Sequence, residues 1–108
     1  MKISVIMPTY NRFEYLINLI NTVKNQTYKD YEIIVVNDCS TQKEYYTYNW
    51  EENNIKIINM KENSKSTFGY GCVGYIRNIG VESAKGDYIA FCDDDDIWFS
   101  NKLDLQVK

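Results

Sequence analysis

Tyr88-Ile89-Ala90-Phe91-Cys92-Asp93-Asp94-Asp95-Asp96-Ile97-Trp98 carries a short apolar run into four consecutive carboxylates and then turns apolar again. The apolar part has the length of a strand buried on both faces. The acidic part cannot be buried with it. Adjacent like charges about 4 Å apart repel by roughly 1 kcal/mol per pair in water, and several times more in a low-dielectric cleft. Such carboxylates either sit in open solvent, as an exposed acidic turn, or are neutralised by a cation. The large apolar groups on both sides pin the turn against a core and favour the cation. A core strand that delivers clustered carboxylates to a sheet rim suits a hard ion with oxygen ligands: Mg2+, Mn2+ or Ca2+. An EF-hand loop fits poorly, because the alternate-residue pattern stops at Ile97 and no central glycine or closing glutamate follows.

Outward from this stretch the chain alternates between two periods. Upstream, a helix is expected from about Cys72 to Ala84, with Val73, Ile76 and Ala84 inward. Gly80 allows close packing and Gly86 stops the helix. Lys61–Gly71 reads as a polar loop that is mobile or orders on ligand binding. Before it lie the short apolar run Ile55–Asn59 and the longer run Tyr31–Val36, and Thr41 with Glu44 offers a capping pair for a helix to about Trp50. At the N-terminus Lys2–Met7 is a near-continuous apolar strand that Pro8 breaks, since proline donates nothing to a ladder. Asn11 and Glu14 form a box-like cap for a helix whose Phe13, Leu16, Ile20 and Val23 recur at helical spacing. Strands near 2–7, 31–36, 55–59 and 87–92 with intervening helices predict an α/β fold, a Rossmann-like and mostly parallel sheet.

Composition narrows the function. At 108 residues the chain is expected to be one domain. A net charge of −3 speaks against a general nucleic-acid binder, which needs a basic face. The three cysteines, Cys39, Cys72 and Cys92, lack CxxC spacing and the chain has no histidine, so zinc is disfavoured and reduced intracellular thiols are expected. The missing histidine also removes the commonest general base. No signal peptide precedes Ile3 and no apolar run reaches the length of a membrane span, so the default compartment is the cytoplasm. The glycines at 69, 71 and 74 follow no strand in the pattern of a dinucleotide fingerprint, and a Walker A motif is absent.

In a doubly wound sheet, ligands bind beyond the carboxyl ends of the strands at the switch in strand order. Pro8–Asn11, Asp38 and Asp93–Asp96 all fall at such ends. Tyr10 offers an aromatic face for a base or sugar, or is simply a surface tyrosine. Asp38 offers acceptors for a nucleobase imide or a ribose hydroxyl, or makes an Asx turn. Arg77 either reaches a phosphate or is an ordinary solvent-facing helical arginine. Trp98 and Phe99 read as core anchors behind the acidic turn.

With these residues in view the chain resembles the N-terminal, nucleotide-sugar-binding half of a family 2 glycosyltransferase of the GT-A fold. The likeness runs through ISVIMPTYNR, EIIVVNDCST, IRNIGVESAKGDYIAFCDDDDIW and KLDLQ, in the family's order and spacing. It implies a nucleotide-diphosphate sugar donor, of the UDP-sugar kind, and a divalent metal, Mn2+ or Mg2+, at a DxD-type motif. It assigns Pro8, Thr9 and Tyr10 to the nucleobase pocket and Asp38 to holding the base. Asp93 and Asp95 become the DxD pair, with Asp95 on the metal and Asp93 or Asp94 on the ribose and metal environment. Arg77, with Asn78, matches the family's RN pair as donor-site support.

In the family a second half binds the acceptor and, in inverting enzymes, supplies the catalytic carboxylate. No general base is therefore expected in this chain, and metal-occupied Asp93–Asp96 would serve poorly as one. Residues 1–108 are expected to be a single donor-binding domain, truncated relative to a full glycosyltransferase, with a glycan, lipid or protein as acceptor. The expected setting is cytoplasmic, with a peripheral position at a membrane as the alternative in a full-length context. The competing readings are a nucleotide or nucleotide-sugar binding module without transfer activity, and an association domain that pairs with a second copy or a partner through an exposed sheet edge.

Overall fold

Consecutive Ile and Val residues are stiff at χ1 and fit a pleated surface covered on both sides. In the computed structural model, which describes residues 2–63, 73–92 and Leu103, these runs are the strands. The elements are β1 (Ile3–Thr9), α1 (Phe13–Lys24), β2 (Tyr31–Asn37), α2 (Glu44–Thr47), β3 (Ile55–Asn59), α3 (Val73–Ser83) and β4 (Tyr88–Phe91). The strands form one parallel sheet in the order β3-β2-β1-β4. This is the expected α/β, Rossmann-like arrangement, with bounds shifted by a residue or two.

Side chains alternate between two layers. Val5, Met7, Ile33, Val35, Ala90 and Cys92 join Leu16, Leu19, Ile20 and Val23 of α1 in the larger core. Burying each of those α1 side chains contributes about 1.5–3 kcal/mol. Ile6, Ile34 and Val36 face the other way and pack on Ile76 of α3, with Ile79 and Ala84 beside them. Gly80 lets α3 sit down on this face, since a Cβ there would lie 2.5 Å from Ile6 Cγ2. Leu103 is fully buried in the larger core, and its N–H donates to the buried Gln26 Oε1 at 3.0 Å.

Several local expectations are corrected. Pro8 does not end the first strand, which continues through Thr9 with Pro8 opposite Val36 and Thr9 opposite Asn37. Ile6 O accepts Cys92 N–H on the β4 side, whereas Thr9 O accepts Asp38 N–H on the β2 side. Pro8 shares the parity of Ile6, so its missing N–H takes no bond from the β1–β2 ladder. Asn11 is not the N-cap of α1. That position is Arg12, without a side-chain cap, and Asn11 sits at φ 50 with its side chain committed elsewhere. The helix expected from Thr41 to Trp50 is the single turn Glu44–Thr47, with Lys43 at its N-cap. Trp50 Nε1 donates to Tyr45 O at 2.9 Å, taking an acceptor that a longer helix would have offered to residue 49. Gly86 lies beyond the last helical residue, Ser83, and its role is at the sheet entrance. Residues 64–71 of the polar loop, the expected helix start at Cys72, the acidic turn Asp93–Asp96, Trp98, Phe99 and the start of a last helix at Ser100 lie outside the described residues.

Candidate functional site

The connection from β1 to β2 passes through α1 on one face, and the connection from β3 to β4 passes through α3 on the other. The order therefore switches beside β1, and the crevice belongs at the carboxyl ends of β1 and its neighbours. Asp38 N donates to Thr9 O at 2.9 Å, so the loops that begin with Tyr10 and Asp38 leave the sheet side by side. On the other flank Cys92 N donates to Ile6 O at 2.9 Å, carrying β4 to the same end of β1. Pro8, Thr9, Tyr10 and Asp38 are thus together at one rim. Asp93, Asp94 and Asp95 follow Cys92 in sequence and lie outside the described residues.

The four placed residues differ in what they present. Tyr10 is 45% exposed, Pro8 and Asp38 are half-buried, and Thr9 is buried. The Thr9 hydroxyl is 2.6 Å from the Tyr45 hydroxyl, beneath the rim. The bend at the end of β2 is held by Asn37, whose Oδ1 accepts Ser40 N–H at 2.9 Å while its Nδ2 donates to Asn59 Oδ1 at 2.9 Å. Asn63 Nδ2 donates to Asp38 O at 2.9 Å, bringing the loop after β3 to the same corner. Arg77 lies on the opposite layer from α1, its guanidinium carbon 5.2 Å from the centroid of the Phe91 ring at the end of β4.

A second layer of residues holds these loops; sequence reasoning gave Asn11 and Thr41 helix-capping roles and did not single out Ser40, Gln42 or Tyr45. Asn11 Oδ1 accepts the N–H of Thr41 at 2.7 Å and of Gln42 at 3.1 Å, and Ser40 Oγ accepts Asn11 N–H at 3.0 Å. Gln42 Oε1 accepts Phe13 N–H at 3.0 Å, and the Tyr45 hydroxyl accepts Arg12 N–H at 3.0 Å. The first turn of α1 is capped in this way from a segment far along the chain, where a local cap was expected. Polar and tyrosine-rich residues over 40–48 were the available signal, but they show no period.

Among the described residues Glu32, at the opposite end of the sheet, has its carboxyl held below its ordinary range. Burial pushes it up, but hydrogen bonds from Ser4 and from the Lys85 and Gly86 backbone, with the charge of Lys2, more than offset that. Among the described residues no group of three His, Cys, Asp or Glu side chains could hold a metal ion. None of their helices is long and apolar enough to cross a membrane. Chemically, the rim offers an exposed aromatic ring, backbone polar groups at strand ends and a carboxylate, which suits a planar heterocycle carrying hydrogen-bond donors.

Comparison with known proteins gives the family and the fold. The family model described as glycosyl transferase family 2 matches residues 4–108. An uncharacterized glycosyltransferase of Rickettsia bellii is 38% identical across 99% of this chain, which spans 15% of that protein. The Escherichia coli UDP-Glc:alpha-D-GlcNAc-diphosphoundecaprenol beta-1,3-glucosyltransferase WfgD is 33% identical over 97% of the chain, which spans 39% of it. Crystal structures of Staphylococcus aureus TarS superpose with a TM-score of 0.83 at 32% identity, covering 99% of this chain and 30% or 31% of theirs. Two of them hold UDP and UDP-GlcNAc. The chain therefore spans well under half the length of each of these relatives.

Proposed function

The chain belongs to glycosyl transferase family 2, and from that premise we propose that residues 1–108 are a single donor-binding domain for a nucleotide-diphosphate sugar, UDP-linked, serving transfer to a glycan, lipid or protein acceptor. The observation that carries this reading is the bond from Asp38 N–H to Thr9 O. It joins two strand-end loops beside the switch point, where a base can be held between an aromatic ring and a carboxylate. UDP and UDP-GlcNAc in the TarS structures support uridine as the base.

In this reading Tyr10 and Pro8 face the nucleobase, Thr9 supports them from below, and Asp38 accepts from the base or ribose. Arg77 steadies the donor side beside β4. Asp93 and Asp95, with Asp94 beside them, supply hard oxygen donors that fit Mn2+ or Mg2+ and are poor ligands for softer ions. The ion, when bound, neutralises the diphosphate and stabilises the departing nucleotide. A reduced, cytoplasmic setting belongs to the same proposal, on the grounds that the three cysteines lack CxxC spacing.

Calorimetric titration of uridine, guanosine and adenosine diphosphates, with and without Mn2+, tests it on the wild-type chain and on Asp95→Ala. Metal-dependent binding of uridine diphosphate, lost in the variant, is the expected result. Tight binding that ignores both the metal and Asp95 removes the acidic turn from the site, and no binding of any nucleotide removes the site itself. A second reading, association through a sheet edge, draws on β4, an outer strand among the described residues with Tyr88, Ile89 and Phe91 exposed. Mass measurement in solution decides it: a monomer at high concentration rules it out.

A further inference from the structure

We infer that Tyr45 is a positioning residue for the nucleobase site: its buried hydroxyl holds the loop after β1 in the binding geometry before any nucleotide arrives. The inference rests on the donor-site reading and adds a residue that contacts no ligand in it. Tyr45 is fully buried. Its hydroxyl is 2.6 Å from Thr9 Oγ1 and 3.0 Å from Arg12 N, so it grips the loop on both sides of Tyr10. Tyr10 itself is 45% exposed, and little packing of its own sets its direction. The aim of the ring follows from where its flanking backbone is held.

The phenol is well placed to be an anchor because it is itself fixed. Its ring meets Phe13 edge-on, with centroids 5.4 Å apart at 77°, and its carbonyl is held by Trp50 Nε1. Nearby, Asn11 is locked by Ser40, Thr41 and Gln42. A loop ordered in advance does not lose that freedom on binding, so affinity rises without any added ligand contact. Deleting the hydroxyl leaves the ring's packing in place but removes one tie on each side of Tyr10.

Tyr45→Phe in the whole chain tests this, with amide hydrogen exchange first and calorimetry of uridine and UDP second. Faster exchange at the Arg12 and Asp38 amides is expected, together with about tenfold weaker binding of uridine and UDP alike and an unchanged dependence on Mn2+. Thr9→Val removes the same bond from the other side. In a double-mutant cycle the pair should be no worse than Tyr45→Phe alone, because both act through one contact. Should Tyr45→Phe fail to fold, Thr9→Val carries the test, with the same two readouts and a smaller loss. Wild-type affinity in the folded variant overturns the inference and leaves the donor site standing. A wild-type chain that binds neither uridine nor UDP overturns both.

Discussion

Glu32 and Ser4 face each other across the β1–β2 pair, and the Ser4 hydroxyl donates to a Glu32 carboxylate oxygen. The same oxygen accepts Lys85 N–H at 2.7 Å, and Ser4 Oγ accepts Gly86 N–H at 2.8 Å. Asp87 adds a further tie, its Oδ2 accepting Lys2 N–H at 3.0 Å and its own N–H bonding Lys2 O at 2.7 Å. The turn into β4 is thereby fastened to the amino end of the sheet, and β4 runs from there to the proposed donor rim.

The Glu32 carboxyl lies below its ordinary value of 4.5, because the hydrogen bonds and the Lys2 charge outweigh the opposing effect of burial. A carboxyl lowered by folding stabilises the folded state above its unfolded-state value and loses that contribution as pH falls through the folded value. Glu32→Gln should therefore melt earlier than wild type near neutral pH, with the gap closing in acid below 4.5. Melting curves across that range check it; a gap that stays constant into acid excludes the mechanism.

Two glycines should respond oppositely to alanine. A Cβ on Gly86 would lie 2.7 Å from Ser4 N and 2.8 Å from Lys2 O, both backbone atoms that cannot swing away. Gly86→Ala should cost about 1–3 kcal/mol. Gly74, on α3, has nothing within 4 Å of such a Cβ, so Gly74→Ala should stabilise by up to about 1 kcal/mol through helix propensity. Urea titration of both variants reads the contrast.

Asn11 combines a left-handed backbone with an acceptor used by Thr41 and Gln42. Asn11→Ala loses the bonds and takes on the strain of a positive φ, for a cost of about 2–3 kcal/mol. Asn11→Asp keeps an acceptor at the same place and should stay within about 1 kcal/mol of wild type. Equal losses for both in denaturant titrations would mean the side-chain oxygen is not what matters.

Arg77 lies over Phe91, a ring that is 44% exposed. Solvent weakens the attraction, and a cycle through Arg77→Met and Phe91→Leu should return a coupling of about 0.5–1 kcal/mol. A coupling near zero would leave the contact as coincidental proximity.

Much of the proposed donor rim was legible because it is built from local patterns. Apolar runs such as Ile3–Met7 and Tyr31–Val36 announce strands covered on both faces, and the helical spacing of Leu16, Ile20 and Val23 announces the layer that covers one of them. Strands alternating with helices dictate a parallel sheet, and a parallel sheet dictates that Tyr10 and Asp38 emerge at the same end.

What these residues do there required the tertiary structure. Asn11 reads as a helix cap until Thr41 and Gln42, 30 and 31 residues away, claim its oxygen. Tyr45 reads as one of several tyrosines in a polar stretch until its hydroxyl is found against Thr9, 36 residues away. Pro8 reads as a strand breaker until the register shows which neighbour its absent N–H would have faced. Periodicity arises because near neighbours in sequence share one face of an element, and residues alone reveal it. Hydrogen bonds between distant loops leave no such period, so only the folded chain determines which side chains hold the rim in shape.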